Sequence, residues 1–228
     1  MGTGMIWIIC IGIAAVSWLV QMNLQNKFKK YSKIPTGNGM TGADVALKML
    51  HDNGIYDVTV THTPGHLTDH YNPANKTVNL SESVYSSNSI MAAAVAAHEC
   101  GHAVQHARAY APLTMRSKLV PVVSFASQWM TWLLLAGILM LNSFPQLLLA
   151  GIILFALTTL FSFITLPVEI NASKRALVWL SNSGITNSYN HAQAEDALRS
   201  AAYTYVVAAL GSLATLIYYI MIFLGRRD

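Results

Sequence analysis

Ser89-Ile90-Met91-Ala92-Ala93-Ala94-Val95-Ala96-Ala97-His98-Glu99-Cys100-Gly101-His102 is the stretch on which the reading of this chain turns. The polar run Ser86-Ser87-Asn88-Ser89 supplies N-cap residues, and the alanine-rich turns after it have strong helix propensity. One continuous helix is expected, ending in an H-E-x-x-H motif. Two histidines four apart on a helix project from the same face, about one turn along, and offer two imidazole nitrogens to a single zinc ion. Glu99 sits beside the first of them, where it can hold and deprotonate a zinc-bound water. The reaction this arrangement suits is hydrolysis of a peptide bond. Gly101 interrupts the helix formers at a cost of about 1 kcal/mol against alanine. Either a neighbour approaches the helix closely there, or the glycine is a tolerated imperfection.

The surroundings of the motif are those of a membrane protein. The chain has 228 residues, 54% of them hydrophobic and only 11% charged, with a mean hydropathy of +0.42. That is too apolar for an ordinary soluble domain. Four runs meet the ~20-residue requirement for a spanning helix, namely Met5 to Leu24, Leu119 to Leu141, Leu147 to Leu166 and Tyr203 to Leu224. None holds an acidic, basic or histidine residue. The first lacks a basic leader and a small-x-small cleavage site, and reads as an uncleaved anchor.

Four spans put the polar stretches 25–118 and 167–202 on one side, and both termini with the short Asn142 to Gln146 turn on the other. The first side holds all the lysines and arginines except Arg226 and Arg227, beginning with Lys27, Lys29, Lys30 and Lys33. The positive-inside rule then assigns the polar regions to the cytoplasm and the termini to the outside. The sequence pI near 9.1 therefore reflects topology and contact with a lipid bilayer, and no aromatic-interleaved basic stripe points to nucleic acid. The two cysteines, Cys10 in the first span and Cys100 in the motif, are too far apart in this arrangement to form a disulfide. Cys100 also points roughly 200° around the helix from His98, which suits packing better than metal binding.

Ahead of the motif, Thr41-Gly42-Ala43-Asp44 has the form of a capping box and opens a short amphipathic helix ending near Gly54. Tyr56 to His62 alternates like a strand, Pro64-Gly65 turns, and His66 to Tyr71 runs back. After a second turn at Asn72 to Lys76, Thr77 to Ser81 gives a third strand. A small antiparallel sheet is expected, with an edge to which an extended peptide could add.

A catalytic zinc takes three protein ligands and an open position. His106 continues the four-residue series but lies about 12 Å along the helix from His98, too far for one ion to hold both. Glu169 is the better candidate, because the motif helix leads into the second span and the third span returns to the same face just before it. The alternative reading of Glu169, an interfacial glutamate in a salt bridge, remains open on spacing alone. His62, His66, His70, Glu82, His191, Glu195 and Asp196 are rivals on the same side, the last two resembling a solvated helix face. His70, Tyr71 and His191 are the weaker candidates for stabilising an oxyanion.

Asp69-His70-Tyr71-Asn72-Pro73, the segment Thr77 to His106 and the run Pro167 to Ala176 together resemble the YugP-like neutral zinc metallopeptidases of bacterial membranes. The likeness covers nearly the whole chain, and extends distantly to the HtpX and CAAX prenyl protease group, in which a glutamate on a later helix completes the site. It implies one zinc per chain held by His98, His102 and Glu169, with Glu99 as general base. Asn171 departs from the pattern, where relatives are expected to carry aspartate, a difference that bears on a contact behind the ligands.

The sequence thus reads as a mainly α membrane protein with four transmembrane helices and a cytoplasmic α+β module, zincin-like by the resemblance. Its parts are an anchor (1–24), a cytoplasmic module with the motif helix (25–118), a transmembrane hairpin (119–166), a cytoplasmic segment carrying the third ligand (167–202) and a last transmembrane helix (203–228). The expected activity is that of a zinc metalloendopeptidase in the bacterial cell membrane, cutting peptides or membrane proteins at the cytoplasmic face. An intramembrane protease is disfavoured because charged residues flank a motif helix whose apolar part is too short to span. Transport is disfavoured because the spans hold no ionisable residue. The competing class is a non-catalytic zinc-binding scaffold, against which Glu99 counts, since metal binding alone does not need it.

Overall fold

The computed structural model describes residues 3–225, with side chains from residue 11 onward. Cys10, Arg226 and Arg227 therefore lie outside the described side chains. The chain forms two compact units, one from Thr114–Leu166 with the described parts of 1–19 and 204–228, the other from Val20–Leu113 and Pro167–Tyr203.

The first unit is built from long apolar helices. Helix α5 (Ala111–Leu139), α6 (Pro145–Asn182) and α7 (His191–Gly225) are each long and apolar enough to cross a membrane. Helix α1 (Thr3–Tyr31) covers the run read as the first span. The turn between α5 and α6 is closed by the Phe144 amide on the Met140 carbonyl at 2.8 Å, and Pro145 opens α6 at the position where a missing N–H costs nothing. Two glycines let this hairpin close. A Cβ on Gly137 would fall 2.4 Å from the Leu148 backbone, and one on Gly151 would fall 2.9 Å from the Leu134 amide nitrogen. Small residues at such crossings let helices approach where lipid gives no hydrophobic drive. Both α5 and α6 continue through an internal proline, Pro121 and Pro167.

The second unit carries the polar chemistry. Helix α2 (Gly42–Asp52) has the expected capping box, the Thr41 hydroxyl accepting from the Asp44 amide while the Asp44 carboxylate accepts from the Thr41 amide. Its buried face, Val45, Ala46, Met49 and Leu50, follows helical spacing. That face packs against α4 (Ile90–Ala107), the motif helix, whose N-cap is Ser89, with its hydroxyl accepting from the Ala92 amide at 3.2 Å. The start of α4 is pinned by an extended segment through Pro35, with the Ile90 amide on the Ile34 carbonyl at 2.8 Å. A single turn, α3 (Glu82–Tyr85), precedes it.

The sheet corrects the expectation of an antiparallel arrangement. Its strands β1 (Thr59–Thr63), β2 (His70–Asn72) and β3 (Thr77–Ser81) lie in the order β1-β3-β2, with β1 parallel to β3 and only β2 antiparallel. The turn at 73–76 makes a β2–β3 hairpin. The link 64–69 is too long for a tight hairpin, carries positive φ at Gly65 and Leu67, and takes the chain across to the far edge of β3. Asp69 fixes the landing by accepting from the Ser81 amide at 2.7 Å and the Ser81 hydroxyl at 3.0 Å.

Candidate metal centre

Three side chains from two helices converge in the second unit. His98 and His102 lie one turn apart on α4, and Glu169 comes from α6. His98 Nε2 is 3.3 Å and His102 Nε2 3.5 Å from Glu169 Oε2, and one potential ligand atom from each residue lies within 4.8 Å of the others. Zinc bonds of 2.0–2.1 Å in a tetrahedron separate neighbouring ligand atoms by roughly 3.4 Å, so the two measured separations fit a shared ion.

The helices come together because Gly101 lets them. A Cβ there would fall 2.7 Å from the carbonyl oxygen of Ala172 on α6 and 3.1 Å from its Cα. The close neighbour is therefore present, and it is backbone. Ala172 follows Glu169 by three residues, so the glycine sets the distance from the histidines to the carboxylate.

The groups behind the histidines determine which ring nitrogen is free. Gln105 is fully buried, and its Nε2 donates to the Val168 carbonyl at 2.8 Å and to Asn171 Oδ1 at 3.0 Å. A carbonyl can only accept, which fixes the amide and turns Gln105 Oε1 toward His102 Nδ1, 3.1 Å away. That oxygen also only accepts, so His102 Nδ1 carries its proton and Nε2 is the nitrogen turned toward Glu169. His98 Nδ1 is met by the Ser173 hydroxyl at 3.0 Å, which admits the same tautomer. Such outer partners orient metal-ligating histidines. Neither Gln105 nor Ser173 was singled out in the sequence, though each stands at helical spacing from a candidate ligand, three after His102 and four after Glu169. Asn171 does touch the network behind the ligands, accepting from Gln105 and from Arg175 Nε at 2.7 Å.

Electrostatics follow from this packing. Burial pushes the Glu169 carboxyl up, but hydrogen bonds from His102 and His98 outweigh it and hold the group well below the usual carboxylate range. Burial likewise pulls His102 down, and the neighbouring Glu169, Glu99 and Gln105 reverse the shift, leaving it raised. Glu99 is 9% exposed, and its Oε2 accepts from the Tyr71 amide on edge strand β2 at 3.1 Å. Cys100 points away to the Ala46 carbonyl, 3.5 Å off, with its thiol pushed up by burial and by Glu99.

The rivals are engaged elsewhere. His106 Nδ1 meets the Tyr71 hydroxyl at 2.9 Å, and His70 is spent between the Thr68 carbonyl and Asn79. His191 meets Thr186, His62 packs edge-on to Tyr85, and His66 packs against Phe28. Glu82 is exposed at the start of α3. Glu195 pairs with Arg199 and Asp196 with Lys27.

The family described as "Putative neutral zinc metallopeptidase" matches residues 6–224. A protein of Bacillus subtilis (strain 168) named "Putative membrane protease YugP" is 44% identical over 218 residues, which is 96% of each chain. No solved structure matches.

Proposed function

The chain belongs to this neutral zinc metallopeptidase family, and on that premise we propose that it is a membrane-bound zinc metalloendopeptidase acting at the cytoplasmic membrane face. The observation that carries the reading is the convergence of His98, His102 and Glu169, with His102 Nδ1 held by Gln105 and Nε2 turned to Glu169. These three residues hold one zinc per chain. Zinc, when bound, polarises the scissile carbonyl and acidifies a water toward a pKa of ~7.

The chain's own groups supply the rest. Glu99, its Oε2 anchored on the Tyr71 amide, keeps its other oxygen for the attacking water, takes the proton and passes it to the leaving amine. Ser173 and Gln105 hold the imidazoles in place. An extended peptide or membrane-protein segment adding to β2 would lie beside Glu99. The four-span topology, with α1 as anchor and both termini outside, rests on the distribution of lysine and arginine. Contact within the first unit between α1 and α7, where a Cβ on Gly211 would lie 3.1 Å from Ile13, supports counting α1 with the other spans.

The test is zinc content and casein hydrolysis on the detergent-purified chain. Wild type is expected to hold one zinc and to cleave in a chelator-sensitive manner. Glu99→Gln should keep the zinc and lose turnover, whereas Glu169→Ala should lose both. Full activity in Glu99→Gln would sink the mechanism, and undiminished zinc in Glu169→Ala would remove that residue from the ligand set. A wild type that binds zinc and cleaves nothing would favour the scaffold.

A further inference from the structure

A cavity in the same unit is lined by none of His98, Glu99, His102 and Glu169. It measures about 380 Å³ and lies between α2, α4 and α6, within the range of small-ligand sites. Met49, Val104, Val178 and Trp179 supply apolar lining, and Lys174 and Arg175 supply positive charge. No acidic residue lines it. Neither Lys174 nor Arg175 meets a carboxylate among the described residues, although each of Lys27, Lys48, Lys76 and Arg199 does. A third cation, Arg108, donates to Asn53 in the cavity wall at 3.3 Å. Asp52 accepts the Trp179 indole N–H at 3.0 Å but is already paired with Lys48.

Cations without a carboxylate partner, Arg175 also lying over the Tyr110 ring at 5.9 Å, beside apolar side chains suit an anionic amphiphile better than a free ion. We propose that this cavity binds the phosphate headgroup of an anionic phospholipid through Lys174, Arg175 and Arg108, and that occupancy is felt at the candidate metal centre.

The second half of the proposal rests on the metallopeptidase reading and on an unbroken set of contacts. Arg175 Nε donates to Asn171 Oδ1, which also accepts from Gln105 Nε2, while Gln105 Oε1 accepts from His102 Nδ1. The guanidinium is planar, so an anion held on its outer nitrogens fixes the orientation of Nε as well. Ordering Arg175 orders Asn171 and Gln105, and so the ring of His102. A bound headgroup should therefore tighten metal binding.

The experiment uses the full chain in a neutral detergent, titrated calorimetrically with dihexanoyl phosphatidylglycerol, dihexanoyl phosphatidylcholine or inorganic phosphate. Phosphatidylglycerol should bind at least about tenfold more tightly than either of the others, and Lys174→Gln/Arg175→Gln should weaken it by about tenfold or more. Lys174→Gln alone, at an exposed position, should weaken it in the same direction should the double variant not fold. Inorganic phosphate binding as tightly would make this a free-anion site, and unchanged lipid binding in the variants would move the site elsewhere; either result overturns the proposal. In a competition titration with a zinc chelator, phosphatidylglycerol should tighten zinc by about fivefold or more in wild type. Arg175→Lys keeps the charge but loses the Nε contact, and should bind lipid without that gain. An unmoved zinc affinity in wild type would refute the coupling. Lipid binding through Lys174 and Arg175 in a chain that takes no zinc would instead sink the metallopeptidase reading and leave the lipid site standing.

Discussion

Replacing Gly101 with alanine sets two effects against each other. On propensity alone the change should stabilise α4 by about 1 kcal/mol. The added Cβ, however, would sit 2.7 Å from the Ala172 carbonyl oxygen and 3.2 Å from its carbonyl carbon. The first is roughly 0.7 Å inside ordinary contact, and the obstacle is main chain of α6, which has no rotamer to escape into. Overpacking of this kind costs about 1–3 kcal/mol, so the net effect should be destabilising by about 0–2 kcal/mol. Relief requires α4 and α6 to separate at Ala172, one turn from Glu169. The carboxylate then withdraws from His98 and His102 by a similar few tenths of an ångström. Metal sites lose about 10–100-fold in affinity when their supporting contacts are disturbed. Zinc affinity by chelator competition should fall in that range, while the melting temperature drops modestly. Trimming the neighbour in the double variant Gly101→Ala/Ala172→Gly should give little rescue, since the clash is with backbone. A Gly101→Ala protein with unchanged zinc affinity and a raised melting temperature would refute the argument.

Ser173→Ala removes the hydroxyl behind His98 and should weaken zinc by about 10–100-fold with little change in melting temperature; equal affinity would mean that His98 needs no support from α6. Cys100, buried and with its thiol pushed up by burial and by Glu99, should resist iodoacetamide until the protein is denatured, as read by mass spectrometry of the Cys100 peptide. Asp196 is held below its ordinary value by hydrogen bonds from Lys27 and Tyr31, whose own hydroxyl is pushed up to about 12. A depressed carboxylate stabilises the fold above its unfolded pKa and loses that contribution as pH falls through the folded value. Its side chain is 38% exposed, so Asp196→Asn should cost no more than about 1 kcal/mol at neutral pH. The difference from wild type should shrink as pH falls below the ordinary carboxylate range and through the folded value, and a difference that persists undiminished in acid would contradict the assignment.

Local features were legible in the sequence and long-range ones were not. The Ser89 cap, the Thr41–Asp44 box and the facing of His98 with His102 are decided within one or two helical turns, where spacing alone fixes neighbours. Alternation along Tyr56 to His62 marks a strand but says nothing of its partner, so the parallel pairing of β1 with β3 escaped the reading. The Gln105 amide is oriented by a carbonyl 63 residues away, and no pattern around His102 announces it. Gly101 marked a position of interest but left its meaning open, because the neighbour that explains it lies on another helix. The approach of Glu169 to the histidines was anticipated through the return of the hairpin and through the family resemblance, whereas spacing alone could not separate it from a salt bridge.

The hairpin of α5 and α6 separates the two histidines from the glutamate along the chain. During synthesis the motif helix is complete while its carboxylate partner is still unmade, and the intervening apolar hairpin must be made before Glu169 follows. A chain made only that far has two imidazoles without the carboxylate that faces them in the folded unit. The candidate metal centre is therefore completed only after the apolar hairpin has been made. If the chain is the metallopeptidase proposed, its site is completed only after apolar segments that would hold it in a membrane have been made.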